Sequence, residues 1–288
     1  MKQVQHPGPV RASRMDLIPC AGCDMEVTLS AGMSLEEAVA QALAPLELDS
    51  AWLEFTDADV SALAYVIPAE APDEMHVAWY SDVHCFEAGR IDQLGMIVGR
   101  HEGTSFLHGH GTWTPAGGSQ AMGHILARQT RLALPVIARG IGLTGARFDR
   151  RADAETQFDL FHVDRVGPEC LDYVDWVRPE GSDYAALRLL PNQDFANSLE
   201  AACSALGWTS ARVHGIGSIN TARFEDGRML DSLPTEFLVT DAIAGIGGPG
   251  PEIVIVGTDG THILSGRLSR GENPVLVTAE VVLNRKGV

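Results

Sequence analysis

The sequence predicts an α+β fold of the α/β-sandwich type, in two similar domains, each with a mainly antiparallel sheet and one or two packed helices. Three observations carry that expectation. A strand–helix–strand unit occurs twice along the chain; helices are few while strands are many and joined by short turns; and the composition is that of a globular protein. Of 288 residues, 45% are hydrophobic and 20% charged, enough to bury two ordinary cores.

The repeat sets the order of the elements. Residues 29–51 read LSAGMSLEEAVAQALAPLELDSA and residues 189–211 read LLPNQDFANSLEAACSALGWTSA, aligning without a gap at an offset of 160. Each copy starts with a short extended segment and proceeds to an Ala/Leu-rich helix. The first helix opens at Ser34 with Glu37 three residues on, the capping-box spacing. The second opens near Asp194, and Gly207 is placed to end it. Ser-Ala and an apolar strand follow in both, at Trp52–Phe55 and Arg212–Gly215. Further along, Leu107–Thr112 (LHGHGT) aligns with Ile253–Thr258 (IVIVGT), and the segment from Gly123 with the one from Gly266. Val254–Val256 and Val275–Leu283 are rich in β-branched residues and bounded by turns such as Thr258-Asp259-Gly260. The expected organisation is an N-terminal arm over 1–23, a first domain over 24–150, a connector over 151–182 that packs across a domain or a neighbouring subunit, and a second domain over 183–288.

A net charge of −17 disfavours nucleic acid as a partner, because that affinity comes largely from phosphate neutralisation by Lys and Arg. No apolar run is long enough to cross a bilayer, and the N-terminus has no signal-peptide core, so the chain is expected to be cytoplasmic. Five cysteines do not suggest a disulfide framework; Cys20 and Cys23 form a lone CxxC without the second pair of a zinc ribbon.

The chemistry concentrates at His108, His110 and His124. Two residues apart on a strand, His108 and His110 project from one face. A hairpin folded about Gly117 puts residue 110 directly opposite residue 124, where Cβ atoms lie about 4.5–5.5 Å apart. Three neutral imidazoles suit Zn²⁺ or another divalent transition metal and leave a fourth position. The second copy carries Val254, Val256 and Arg267 at the aligned positions, so all three ligands are missing there together.

These residues resemble the plants-and-prokaryotes-conserved (PPC) domain, which occurs in plant AT-hook proteins and as single-domain bacterial proteins. The resemblance rests on Leu-His-Gly-His, the later Gly-His-Ile-Leu, Val-His-Gly-Ile-Gly-Ser-Ile at 213–219 and Asn-Pro-Val-Leu-Val-Thr-Ala-Glu-Val-Val-Leu at 273–283. It covers most of the chain outside the arm and connector. It implies an α/β fold with a mainly antiparallel sheet, trimeric assembly (here a homotrimer of two-domain chains) and a metal held by His108, His110 and His124. It also carries a DNA-binding label, although the sequence has no Arg-Gly-Arg-Pro core of an AT-hook.

The function expected on these grounds is a zinc-dependent enzyme, a hydrolase or lyase, acting on a small anionic organic substrate. The metal would activate water, with His214 or Glu236 moving the proton. Arg128 and Arg131, with Arg139 on the same rim, would hold the substrate's carboxylate. Glu280 is a further carboxylate beside a predicted strand, for which, as for Glu236, an ordinary edge position is the simpler expectation. Two other readings stand beside the enzyme: a PPC-type DNA-binding or regulatory protein, and a non-catalytic ligand-binding module with a structural metal. The last predicts a coordination shell closed by protein, the enzyme an open position.

Overall fold

The computed structural model describes residues 3–73, 75–167 and 182–287. Two antiparallel sheets face one another, and the long first strand, β1 (Met15–Leu29), belongs to both. The first half of the chain continues with α1 (Leu35–Leu43), β2 (Ser50–Val66), β3 (Gly89–His101), β4 (Thr104–Pro115), β5 (Ala121–Ile125) and β6 (Val136–Thr144). Their order in the first sheet is β1-β6-β2-β3-β4-β5. Strand β5 also pairs with the far end of β2, Tyr65 and Val66, so this sheet curls back on itself. A hairpin of β7 (Ala146–Ala152) and β8 (Asp159–Arg165) hangs on β3 through a short parallel pairing.

The second half comprises β9 (Tyr184–Leu189), α2 (Phe195–Ala205), β10 (Ser210–Ile219), β11 (Glu236–Asp241), β12 (Glu252–Val256), β13 (Leu264–Arg267) and β14 (Val275–Asn284). Here the order is β1-β9-β14-β10-β11-β12-β13. Mostly strand with two short helices, the chain has the α+β, mainly antiparallel architecture that its sequence predicts.

Local sequence explains the helices. Ser34 caps α1 by accepting from the Glu37 N–H at 3.2 Å, and the Glu37 carboxylate accepts in return from the Ser34 N–H at 2.9 Å. Asp194 caps α2 by accepting from Asn197, and Gly207, at φ +63°, follows its last turn. Each helix covers the outer face of one sheet. Leu35, Ala38 and Val39 pack with Leu107 and Trp113 in one core; Phe195, Leu199 and Ala202 pack with Phe237 and Ile255 in the other.

A third core lies between the sheets and positions the candidate site. Trp52, Ile97, Met122 and Phe148 of the first half meet Ile216, Leu238, Val254 and Val282 of the second. Period-two alternation places Leu107 and Trp113 of β4 towards α1, and therefore His108 and His110 towards the opposing sheet. Gly95 permits the close approach. A Cβ there would stand 2.4 Å from the Trp52 ring and 2.6 Å from Leu238, far inside van der Waals contact.

Three sequence expectations are corrected. The arm expected over 1–23 is already strand from Met15, and ties both sheets together. The connector's first part is not separate from the first sheet, since β7 runs to Ala152 and β8 pairs along it; residues 168–181 lie outside the described residues. Arg267 is not the counterpart of His124. It lies opposite Glu252, whereas Val254 lies opposite Ser265, so the register points to Ile263 as the residue facing Val256. Ile263 packs on the core between the sheets.

Candidate metal centre

Strands β4 and β5 bring the three histidines together. His110 and His124 are direct cross-strand partners, and each histidine offers a ring nitrogen such that the three atoms lie within 4.8 Å of one another. The Nε2 atoms of His108 and His110 are 3.2 Å apart. Two Zn–N bonds of about 2.0–2.1 Å at a tetrahedral angle would set their nitrogens about 3.3 Å apart, so this spacing fits one ion.

The second sheet supplies what surrounds them. His110 donates its Nδ1 proton to the carbonyl of Phe237 at 2.9 Å, which leaves the Nε2 lone pair facing the centre. Glu236 Oε1 lies 3.7 Å from that Nε2, and Glu280 Oε2 lies 3.1 Å from His108 Nδ1. Both carboxylates are buried; Glu236 Oε2 has no hydrogen-bond partner, while Glu280 Oε2 has the His108 Nδ1 contact alone. Such orphaned acceptors are costly in a protein interior and are the pattern left where a cation belongs. Glu280 Oε1 accepts from Thr278 at 3.2 Å. Tyr80 approaches from the segment after β2, its hydroxyl 3.3 Å from His124 Nδ1.

Burial dominates the electrostatics. It lowers the His110 pKa to about 3, with His108 adding repulsion, and pushes His124 well below the usual histidine value with help from His108 and His110. The same burial drives the Glu236 carboxyl well above its ordinary value. Tyr80 is 43% exposed as a residue, and its hydroxyl, beside His124, is raised by desolvation and then by Glu236 and Glu280. Neutral imidazoles are the form that binds metal, and a bound cation would ionise Glu236. The donor set fits a divalent metal: His108, His110 and His124 as ligands, with Glu236 in reach.

The other sequence-predicted residues are not gathered here. His214, on β10, packs against the Trp52 ring with its Nδ1 3.6 Å from Glu54, at the margin of the sheet interface. Arg128 is exposed and bonded to Glu36 at 2.9 Å. Arg131 is exposed beside β2, and Arg139 is paired with Glu26. Of the expected proton carriers only Glu236 reaches the histidines; of the expected anion-binding arginines none lines the adjoining cavity. Glu236 and Glu280 are not at sheet edges but face the centre. Sequence reasoning missed Phe237, whose backbone acts, and Tyr80, which no motif marks. Cys20 and Cys23 are both free, one buried and one exposed.

No family model and no curated protein matches the chain. It is similar to several solved structures, each corresponding to about half of it. One is a PPC protein from Pyrococcus horikoshii, 14% identical, covering 55% of this chain and 100% of its own, with a TM-score of 0.38. A second is described as a metal-containing protein from Archaeoglobus fulgidus, 16% identical, covering 51% of this chain and 97% of its own, TM-score 0.40. A third is a candidate DNA-binding protein from Ralstonia eutropha, 17% identical, covering 48% of this chain and 90% of its own, TM-score 0.39. A protein of the family that the motifs resemble is thus among the structures similar to this chain.

The expected function is corrected towards its alternative. The similar structures are described as PPC, DNA-binding and metal-containing proteins, descriptions that match the PPC-type alternative rather than the zinc enzyme. The expectation of a zinc hydrolase or lyase is withdrawn, and the scattering of His214, Arg128 and Arg131 away from the histidines agrees with that. The DNA-binding descriptions also run against the expectation that the net charge disfavours nucleic acid. No helix among the described residues is long and apolar enough to cross a membrane.

Proposed function

We propose that this chain is a PPC-type regulatory protein that acts by binding, in which a divalent metal, zinc by preference, fastens the two sheets at a non-catalytic centre. His108, His110 and His124 are the ligands from the first half, and Glu236 closes the shell from the second. The single observation that carries the reading is the position of Glu236: a buried carboxylate from the opposing sheet, 3.7 Å from His110 Nε2, with Oε2 unpartnered. A structural site is closed by protein ligands, whereas a catalytic one keeps a position for water. In this reading the metal supplies cross-linking strength between two domains, the first including the β7–β8 hairpin and the two sharing β1.

Nucleic acid is the partner that the descriptions of the similar structures suggest. At a net charge of −17, with Arg128, Arg139 and Arg151 paired to acids, such binding would rest on few phosphate contacts. Assembly as a homotrimer is part of the same proposal.

Metal analysis of the purified chain against the His108→Ala/His110→Ala variant tests the centre. About one zinc per wild-type chain and none in the variant is the expected result; equal contents would sink it. Mobility shifts on duplex DNA across a salt series, and sedimentation of the intact protein, test the partner and the assembly.

A further inference from the structure

A cavity of about 70 Å³ adjoins the centre, with His108, His110 and Glu236 at its floor. Its walls are apolar: Ala78, Phe158, Leu160, Leu276 and Val277, with Trp79 at the rim. Val4 from the N-terminal segment packs behind them.

The polar groups in the lining are nearly all engaged. Thr235 Oγ1 donates to the Ile219 carbonyl, Thr278 Oγ1 donates to Glu280, and Ser218 Oγ accepts from the Val277 N–H. What remains is Glu236 Oε2, an acceptor on a side chain 4% exposed, with no partner. A guest with an O–H or N–H donor satisfies it; a guest with only acceptors does not. Charge sharpens the choice. Glu236 and Glu280 already balance a divalent ion, and Arg150, the guanidinium whose charge reaches His124, is 3.4 Å from Asp159. A carboxylate guest would bring a third negative charge into a buried site.

We propose that this cavity binds a small uncharged molecule, an alcohol-type head on a short hydrocarbon tail, and rejects a carboxylate of the same size. The proposal rests on the metal-centre reading and names the ligand class of that site, reversing the anionic guest expected from sequence. The head donates to Glu236 Oε2, while the tail lies among Leu276, Val277 and Phe158. At about 30 Å³ per water in the liquid, the space takes roughly two waters, enough for the head and its first carbon, so the rest of a short tail runs out along the apolar walls towards Trp79.

The test compares propan-1-ol with propionate on the zinc-loaded full chain by ligand-observed NMR titration, with zinc content measured on the same samples. The alcohol should bind at least about tenfold more tightly, the worth of one unpaired buried acceptor or charge. Val277→Phe should fill the cavity and abolish the alcohol signal while zinc stays bound; Ala78→Phe is the second variant if the first does not fold. Propionate binding as well as propan-1-ol, alcohol binding that survives a filled cavity, or no binding of either probe would each overturn the proposal. Absence of zinc from the wild type would instead overturn the metal reading. On the metal-free chain Val277→Phe and Ala78→Phe then still decide whether an alcohol enters the cavity, because the apolar walls do not depend on the ion.

Discussion

The Nδ1 proton of His110 goes to the carbonyl oxygen of Phe237, 2.9 Å away on the opposing sheet. That bond joins residues 127 positions apart and sets both the tautomer and the tilt of the imidazole. The centre is therefore complete only when the sheets are docked, which couples metal affinity to docking.

Zinc should accordingly stabilise the whole chain. At a free concentration a thousandfold above Kd the expected gain is about 4 kcal/mol, lost on chelation. His110→Ala should remove most of that gain, and with it the zinc dependence of Tm in calorimetry. A Tm that responds equally to zinc in wild type and variant would contradict the coupling.

Acidity gives a second check, with opposing contributions. Burial lowers His110 to about 3, so between the ordinary histidine value and 3 the unfolded chain binds the extra proton, and stability falls as pH falls. Glu236 is raised by burial, so above the ordinary carboxylate value the folded state holds the extra proton, and metal-free stability falls as pH rises towards the folded pKa. Above pH 6.5 only the Glu236 contribution remains of the two. Glu236→Gln should remove the part of the metal-free stability that falls as pH rises above the ordinary carboxylate value, read by urea denaturation across a pH series. Zinc binding near neutrality should release a proton, read by calorimetry in buffers of different ionisation enthalpy.

Gly95 should be intolerant of any side chain. Its missing Cβ is where Trp52 and Leu238 meet, at 2.4 and 2.6 Å. Overpacking of this kind costs typically about 1–3 kcal/mol. Gly95→Ala should lower the denaturation midpoint and also weaken zinc binding, because it separates the sheets that share the site. A variant that loses stability but binds zinc as wild type does would place the strain elsewhere.

What the sequence revealed and what it hid divide along local and non-local contacts. The Ser34–Glu37 capping box, the Asp194 cap and the pairing of His110 with His124 about the Gly117 turn all depend on residues close in the chain, and all three are present. Glu236 and Glu280 could not be placed, because strand alternation gives a side chain's face but not which face of another sheet it meets. The same limit applies to His214, which lies beside Trp52 and Glu54. Arg267 falls out of the repeat alignment for a local reason: the β12–β13 turn sets its own register, and the partner of Arg267, Glu252, lies four positions before Val256.

The last prediction concerns Arg188, fully buried behind the N-terminal segment. Its Nη2 donates to Asp153 Oδ2 at 2.7 Å and its Nη1 to His162 Nδ1 at 3.0 Å. Burial alone would raise the Asp153 carboxyl, but the bonds from Arg188 and Thr156 outweigh it and hold the pKa at about 2. Burial, then Arg188, lowers His162 to about 4, so it stays neutral and able to accept. Breaking such a pair costs about 3–5 kcal/mol where it leaves a buried charge alone, an upper bound here because Asp16 Oδ2 stays 3.8 Å from Arg188, whereas replacing both members by apolar groups is often nearly neutral. Asp153→Ala should therefore destabilise by up to that amount, and Asp153→Ala/Arg188→Met should recover most of it in urea denaturation. For Asp153, whose folded pKa is depressed, the stabilisation is full above the ordinary carboxylate value and drains away as pH falls towards 2. An Asp153→Ala variant should lack that part of the acid transition. If the double variant is no more stable than the single one, Arg188 is held by something other than its charge partner.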